Sequence, residues 1–380
     1  MMTAKQRVRA AFLGQKTDTV PVVNMFSMAY LKKQCQVQDT YDGFVNHPLE
    51  NHIAFQESID HDPLVVLYMQ QEPKQVYWCN KIFSWREEDC ENFKITNTRE
   101  GDKVLRTYTT PAGTLQAKYL IENGQNTVLE SPVKDYKDIE LLRYRPDPAK
   151  MDIEKITDYC KQIGERAFIM VGIPGPWQEA CFFRGFADML TDLYEEPEFV
   201  HELLQLCTEY TIKKIERLRG TGIDCIMINE SYAGCGISRS TYEEFMFPYD
   251  KQVVAAANKN GFLTSLHVCG KCKNFFDEMI ACEPSIIEPL ACAEYSGDIE
   301  LEEAIRRAGD RVALWGGMKE RELAKGPEAI KAEVYRCMEL AKDKPGYILR
   351  GCGQFYDADP ADLKLIRKYA REYEAEHAAT

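Results

Sequence analysis

Residues 262–270 read Phe262-Leu263-Thr264-Ser265-Leu266-His267-Val268-Cys269-Gly270, a short apolar run that ends in polar groups and a glycine. Such a run marks a strand covered on both faces, and its ending puts chemistry where the strand stops. Seven further runs of this kind occur: Val20–Phe26, Leu64–Met69, Ala167–Ile173, Cys225–Ser231, Ser285–Leu290, Val312–Met318 and Tyr347–Gly353. Amphipathic stretches separate most of them. Glu198–Arg219 carries Val200, Leu203, Leu204 and Leu206, and Tyr242–Lys259 carries Phe245, Val253 and Val254, each ending near glycine. Alternation of β and α over this length implies parallel strands joined by crossover helices. Eight such strands close as an α/β fold of the (β/α)8 TIM-barrel type, which 380 residues accommodate with an insertion. A doubly wound open sheet needs fewer strands and usually a glycine-rich first turn, which Thr17-Asp18-Thr19-Val20-Pro21 is not.

One region breaks the alternation. Gln75–Ile121 holds Val76-Tyr77-Trp78, Ile82-Phe83-Ser84-Trp85 and Val104-Leu105-Arg106-Thr107-Tyr108 with a turn at Thr110-Pro111-Ala112-Gly113-Thr114, the pattern of β-hairpins. It is expected as a β-hairpin insertion after the second strand. With no internal repeat and no Ser/Gly-rich linker, residues 1–380 are expected to form a single TIM-barrel domain with residues 75–121 inserted in it.

Lys and Arg number 47 against 60 Asp and Glu, a net charge of -13, which argues against nucleic acid as a partner. The start, Met1-Met2-Thr3-Ala4-Lys5-Gln6-Arg7, runs into an amphipathic helix, and no stretch of 18 apolar residues occurs, so no membrane partner is expected. The fourteen cysteines are scattered singly through apolar segments, which suits small buried hydrophobes in a reducing cytoplasm better than a disulfide framework. A soluble, cytoplasmic protein is the expectation.

In a parallel barrel the active site sits at the C-terminal ends of the strands. His267 and Cys269, two residues apart, share one side of the fifth strand and present an imidazole and a thiol together, a zinc-type ligand pair. The eighth run ends Gly351-Cys352-Gly353 and brings a third donor, Cys352, to the same mouth. Three protein ligands leave a fourth position open, the arrangement of catalytic Zn2+. Cys269-Gly270-Lys271-Cys272 also reads as a Cys-x-x-Cys redox pair, and Cys272 is an alternative ligand. Cys235, Cys282 and Cys292 are read as structural. Glu230 and Glu288 end the fourth and sixth runs as candidate catalytic carboxylates, each able to ligate, to orient His267 or to act as an acid, with a plain salt bridge as the other reading. His47, His52 and His61 are assigned to surface or core.

In order along the chain stand Gly175-Pro176-Trp177, Asp192-Leu193-Tyr194-Glu195-Glu196-Pro197-Glu198-Phe199-Val200, Glu230-Ser231-Tyr232-Ala233-Gly234, Phe247-Pro248-Tyr249, His267-Val268-Cys269-Gly270, Leu314-Trp315-Gly316-Gly317 and Gly351-Cys352-Gly353. Together they resemble the landmarks of the uroporphyrinogen decarboxylase superfamily over most of the chain. The resemblance implies either a metal-free tetrapyrrole decarboxylase or a zinc-dependent methyltransferase that works with a corrinoid protein. Decarboxylases of that superfamily carry an early Arg-Gln-Ala-Gly-Arg segment, whereas here Asn24-Met25-Phe26-Ser27-Met28-Ala29-Tyr30-Leu31-Lys32 has no arginine to clamp substrate carboxylates. The methyltransferase branch is similar in its His-x-Cys and distant Cys, which map onto His267, Cys269 and Cys352. It implies transfer of a methyl group between a small-molecule donor or acceptor and the corrinoid of a partner protein. Met25, Phe26 and Met28 with Tyr30, Tyr68 and Met69 are a candidate apolar and aromatic substrate lining, which favours a methoxylated aromatic over a thiol. A non-catalytic corrinoid- or tetrapyrrole-binding barrel with structural zinc, closed by Cys272, is the remaining alternative.

Overall fold

The computed structural model describes residues 1–34, 50–68, 91–122 and 125–378. Seven parallel strands form one sheet in chain order: β1 (Leu64–Tyr68), β6 (Phe168–Pro174), β7 (Cys225–Asn229), β8 (Leu263–His267), β9 (Ile286–Glu288), β10 (Ala313–Trp315) and β11 (Tyr347–Ile348). Helices alternate with most of them. Side chains along these strands divide by parity, because successive residues point to opposite faces. Leu64, Phe168, Met170, Cys225, Met227, Leu263, Ile286 and Trp315 fill the interior, whereas Val65, Ile169, Ile226, Leu266 and Ile287 belong to the layer beneath the helices.

The first expected strand, Val20–Phe26, carries isolated parallel bridges, Val22 to Leu349 and Phe26 to Phe355, rather than a regular ladder. Its other side is bonded to the start of β1, where Asp62 N donates to Val22 O at 2.9 Å and Asp62 Oδ2 accepts from Val22 N at 2.9 Å. The sheet therefore curls until its last and first strands meet through this segment. The Asp62 carboxylate also pairs with the guanidinium groups of Arg7 and Arg367. Below the interior, the helix Ala4–Phe12 opens with a capping box at Thr3 and lays Val8, Ala11 and Phe12 against the strands, Phe12 lying 4.9 Å from Phe168 between ring centroids.

Between β1 and β6 lies an antiparallel sheet of β2 (Lys94–Glu100), β3 (Lys103–Thr110), β4 (Gly113–Glu122) and β5 (Gln125–Glu130). It differs from the expected 75–121 in running on to Glu130, because β5 pairs again with β4. Val76–Trp78 and Ile82–Trp85 lie outside the described residues. The expected helix Tyr242–Lys259 is two helices, Arg239–Phe245 and Phe247–Lys259, parted at Met246 (φ -122°, ψ -53°). Pro248 explains the break: it donates no N–H and its ring disfavours helix continuation into it, but it is well suited to a first turn. Among the described residues no helix is long and apolar enough to cross a membrane.

Asp62 is 2% exposed and joins three segments, so Asp62→Ala leaves the buried Arg367 without its carboxylate and Arg7 with Asp18 alone. A loss of about 3–5 kcal/mol is expected from removing one partner of such a buried pair, read from urea unfolding midpoints. A loss below about 1 kcal/mol contradicts this role for Asp62.

Candidate active site at the strand ends

Register sets the site. Asn229 of β7 stands beside His267 of β8, which stands beside Glu288 of β9, so the residues closing these strands reach one level. His267 Nε2 faces Cys269 Sγ at 2.8 Å. On the other side of the ring, Nδ1 lies 3.4 Å from Glu288 Oε1, which also accepts a 2.9 Å hydrogen bond from Ser265 Oγ. Glu288 Oε2 pairs with the buried Arg350, whose guanidinium lies 4.5 Å over the Trp315 ring. The carboxylate beside Nδ1 is placed to orient the ring, with Nε2 turned toward Cys269 and the cavity. Burial would raise the Cys269 thiol, but the charge and hydrogen bond of His267 outweigh it and hold Cys269 down to about 7.

The loop bearing Cys269 is pressed against Gly234. A Cβ at Gly234 would stand 1.7 Å from the Cys269 carbonyl oxygen, and Lys271 N donates to Gly234 O at 2.9 Å. Glycine is required there by contact with backbone.

Cys352 follows β11, its N–H donating to Met318 O at 2.8 Å. With His267, Cys269, Arg350, Tyr295, Phe355 and Glu320 it lines a cavity of about 550 Å³. Its thiol donates to Leu290 O at 3.5 Å and is hydrogen-bonded to the Cys292 thiol. That contact raises Cys352 and lowers Cys292 to about 7. The structure thus brings His267 and Cys269 together and puts Cys352 in the same cavity, turned toward Cys292. Among the described residues no three His, Cys, Asp or Glu side chains lie close enough together to hold one ion.

Glu230 stands behind this site. Its Oε1 accepts from Trp177 N at 3.0 Å and Oε2 from Gln178 N at 2.9 Å, at the start of the helix Pro176–Arg184. It faces Asp250, which accepts a 2.7 Å hydrogen bond from Tyr242, and burial together with Asp250 holds the Glu230 carboxyl well above its usual range. Glu230 is fully buried and does not line the cavity. Met25 packs in the barrel interior with Trp315, and Phe26 packs outward against Tyr30, Phe55 and Phe355. Neither lines the cavity, whose aromatic side chains are Tyr295, Phe355 and Tyr356. Tyr68 closes β1, and the placement of its side chain, like Met69 and His47, lies outside the described residues. Burial raises Cys272 to about 12 and lowers His52 and His61 to about 4 and 3, in keeping with core positions. Arg350 and Ser265 were not singled out as site residues, yet each shares strand parity with one that was: Ser265 with His267, and Arg350 with Cys352.

An α/β sheet of parallel strands with an imidazole–thiol pair where they end defines the class of barrel enzymes that work at the C-terminal face. The profile of uroporphyrinogen decarboxylase (URO-D) matches residues 105–373, and the chain belongs to that family. It is 30% identical over 203 residues to the uroporphyrinogen decarboxylase of Chlorobaculum parvum, covering 51% of this chain and 55% of that one. A uroporphyrinogen decarboxylase of Ruthia magnifica is 23% identical over 271 residues, 67% and 75% of the two chains. The chain spans about half the length of the first of these relatives. Among solved structures, a methyltransferase from Methanosarcina mazei has the same fold, with a TM-score of 0.69, 19% identity and coverage of 98% of this chain and 99% of that one.

Alkylation of Cys269 by iodoacetamide is expected to rise through a midpoint near pH 7, while Cys272 stays unlabelled well above it. His267→Ala removes the lowering partner, so the Cys269 midpoint moves upward; an unchanged midpoint contradicts the pairing. Gly234→Ala is expected to displace the Cys269 loop and slow or shift this labelling, with circular dichroism retained.

Proposed function

We propose that the protein is a zinc-dependent methyltransferase that exchanges a methyl group between a small molecule and the corrinoid of a partner protein. The observation that carries this reading is the imidazole–thiol pair of His267 and Cys269, backed by Glu288 and sharing its cavity with Cys352. Two thiols and an imidazole are a soft donor set, one thiol is lowered by its imidazole neighbour, and the His267 ring is backed by a carboxylate. His267 and Cys269 would supply two ligands as they stand, and Cys352, which does not meet them at one point in the described arrangement, would complete the set only by leaving its bond to Leu290 O and turning toward them. When bound, zinc supplies Lewis acidity, able to lower the pKa of an acceptor thiol or to polarise a methyl ether oxygen.

The rest falls to the chain itself. Glu288 orients His267, and Arg350 holds Glu288 in place. Glu230 fixes the start of the helix Pro176–Arg184 and acts on the site through its surroundings rather than on substrate. Tyr295, Phe355, Tyr356 and Leu323 give the cavity aromatic and apolar walls suited to a flat ring, which favours a methoxylated aromatic donor over a thiol acceptor. The names of the sequence relatives favour tetrapyrrole decarboxylation instead, but the arginine-free stretch Asn24–Lys32 removes the clamp that such a polycarboxylate needs.

Zinc-loaded protein, incubated with a reduced corrinoid protein and a panel of methoxylated aromatics and thiols, is expected to change the cobalt absorbance with at least one methoxylated compound. Cys352→Ala and Cys269→Ala are expected to lose zinc and to lower the rate at least about a hundredfold, with circular dichroism unchanged. Carbon dioxide release from uroporphyrinogen by metal-free protein, with no cobalt response, overturns this reading in favour of a decarboxylase.

A further inference from the structure

A second cavity, of about 610 Å³, shares no lining residue with the one that holds His267, Cys269 and Cys352. Its apolar wall has two sources. The edge strand β5 contributes Val128 and Leu129, 41% and 48% exposed, and the helices after β6, Pro176–Arg184 and Phe186–Glu195, contribute Phe182 and Phe186. Tyr232, just past the end of β7, stacks on Phe186 at 5.1 Å between ring centroids and meets Phe182 edge-on at 5.9 Å. All three rings are half-buried, so they fix one another and still border open space. Gly185, at φ +93°, makes the corner between the two helices, and a Cβ there would stand 2.6 Å from Ser131 Oγ, so the bare turn leaves room for that hydroxyl. The polar groups decide what kind of molecule fits. Lys134 lies 3.7 Å from Glu130, and Arg184 holds Asp192 at 2.7 Å and Asp188 at 3.3 Å, so each charged group lining the cavity already has its counter-ion within the protein. The hydroxyls of Ser131 and Tyr232, by contrast, have no hydrogen-bond partner among the described residues, and neither is enclosed.

We propose that this cavity binds a neutral, flat aromatic molecule that carries hydroxyl groups. The ring adds to the stack of Phe186 and Tyr232 and covers the exposed Leu129, which removes apolar surface from water on both partners. Its hydroxyls exchange hydrogen bonds with Ser131 and Tyr232, whereas a bare hydrocarbon leaves those two groups without water or partner. A charged ligand gives up its own hydration and meets no unpaired counter-ion in return. The site lies apart from the imidazole–thiol pair and stands whether or not that pair holds zinc.

The test titrates the full chain, with chelator present so that metal plays no part, against resorcinol, methoxybenzene, benzoate and benzylamine by isothermal calorimetry. Resorcinol is expected to bind saturably with a Kd below about 10 mM, a modest demand on a ring of this size. Methoxybenzene, which has no donor, is expected to bind at least about threefold more weakly, and the two ions more weakly than resorcinol. Phe186→Ala is expected to raise the resorcinol Kd about tenfold by removing the stacking face. Tyr232→Phe keeps the ring and loses only the hydroxyl, so it is expected to raise the Kd about threefold with circular dichroism unchanged, and it decides the matter where Phe186→Ala fails to fold. Tyr356→Ala, in the other cavity, is expected to leave the Kd unchanged. Absence of saturable resorcinol binding to the wild type, or a Kd that Phe186→Ala and Tyr232→Phe both leave unchanged, overturns the site. Benzoate or benzylamine binding as tightly as resorcinol overturns the neutral character of the ligand.

Discussion

The buried ion pair of Glu288 and Arg350 is the interaction on which the site depends. Both side chains are almost wholly removed from water, with no more than 2% of either exposed, so neither is stable there without the other. Arg350, stacked on Trp315, fixes one oxygen of Glu288, and Ser265 and the His267 ring meet the other. The imidazole is thereby held with its far nitrogen on Cys269. A hydrophobic pair of the same volume would cost the fold less, which is why the charge is best understood by what it does to His267.

The same logic sorts the cysteines. Burial raises Cys181, Cys207, Cys225, Cys272 and Cys337, as it should for thiols in apolar surroundings. Cys269 and Cys292 go the other way, each because of one specific neighbour, His267 and Cys352 respectively. Among the described cysteines, the two lowered thiols therefore both lie at strand ends, after β8 and after β9.

The parallel strands were legible because strands buried on both faces leave continuous apolar runs. Their ends were less so. The run Phe262–Gly270 stays largely apolar after the ladder stops at His267, and the segment Val20–Phe26 pairs only at Val22 and Phe26. The pairing of His267 with Cys269 followed from strand parity, and so could Ser265 and Arg350 have done. Parity does not say which face of a two-sided apolar strand looks inward, so Met25 and Phe26 gave no sign that one fills the interior and the other packs outside. Contact between Cys292 and Cys352 depends on how two loops sixty residues apart meet across the mouth, which no local pattern encodes. The cap that Glu230 places on the helix Pro176–Arg184 was hidden for the same reason, although Gly175, where a Cβ would stand 2.1 Å from Glu230 Oε1, was visible as part of a landmark.

X-ray absorption at the zinc edge of the loaded protein tests the central claim most directly. One imidazole and two sulfurs are expected in the inner shell, falling to one sulfur in Cys352→Ala. A shell of nitrogen and oxygen alone, or protein that retains no zinc after loading and desalting, contradicts it.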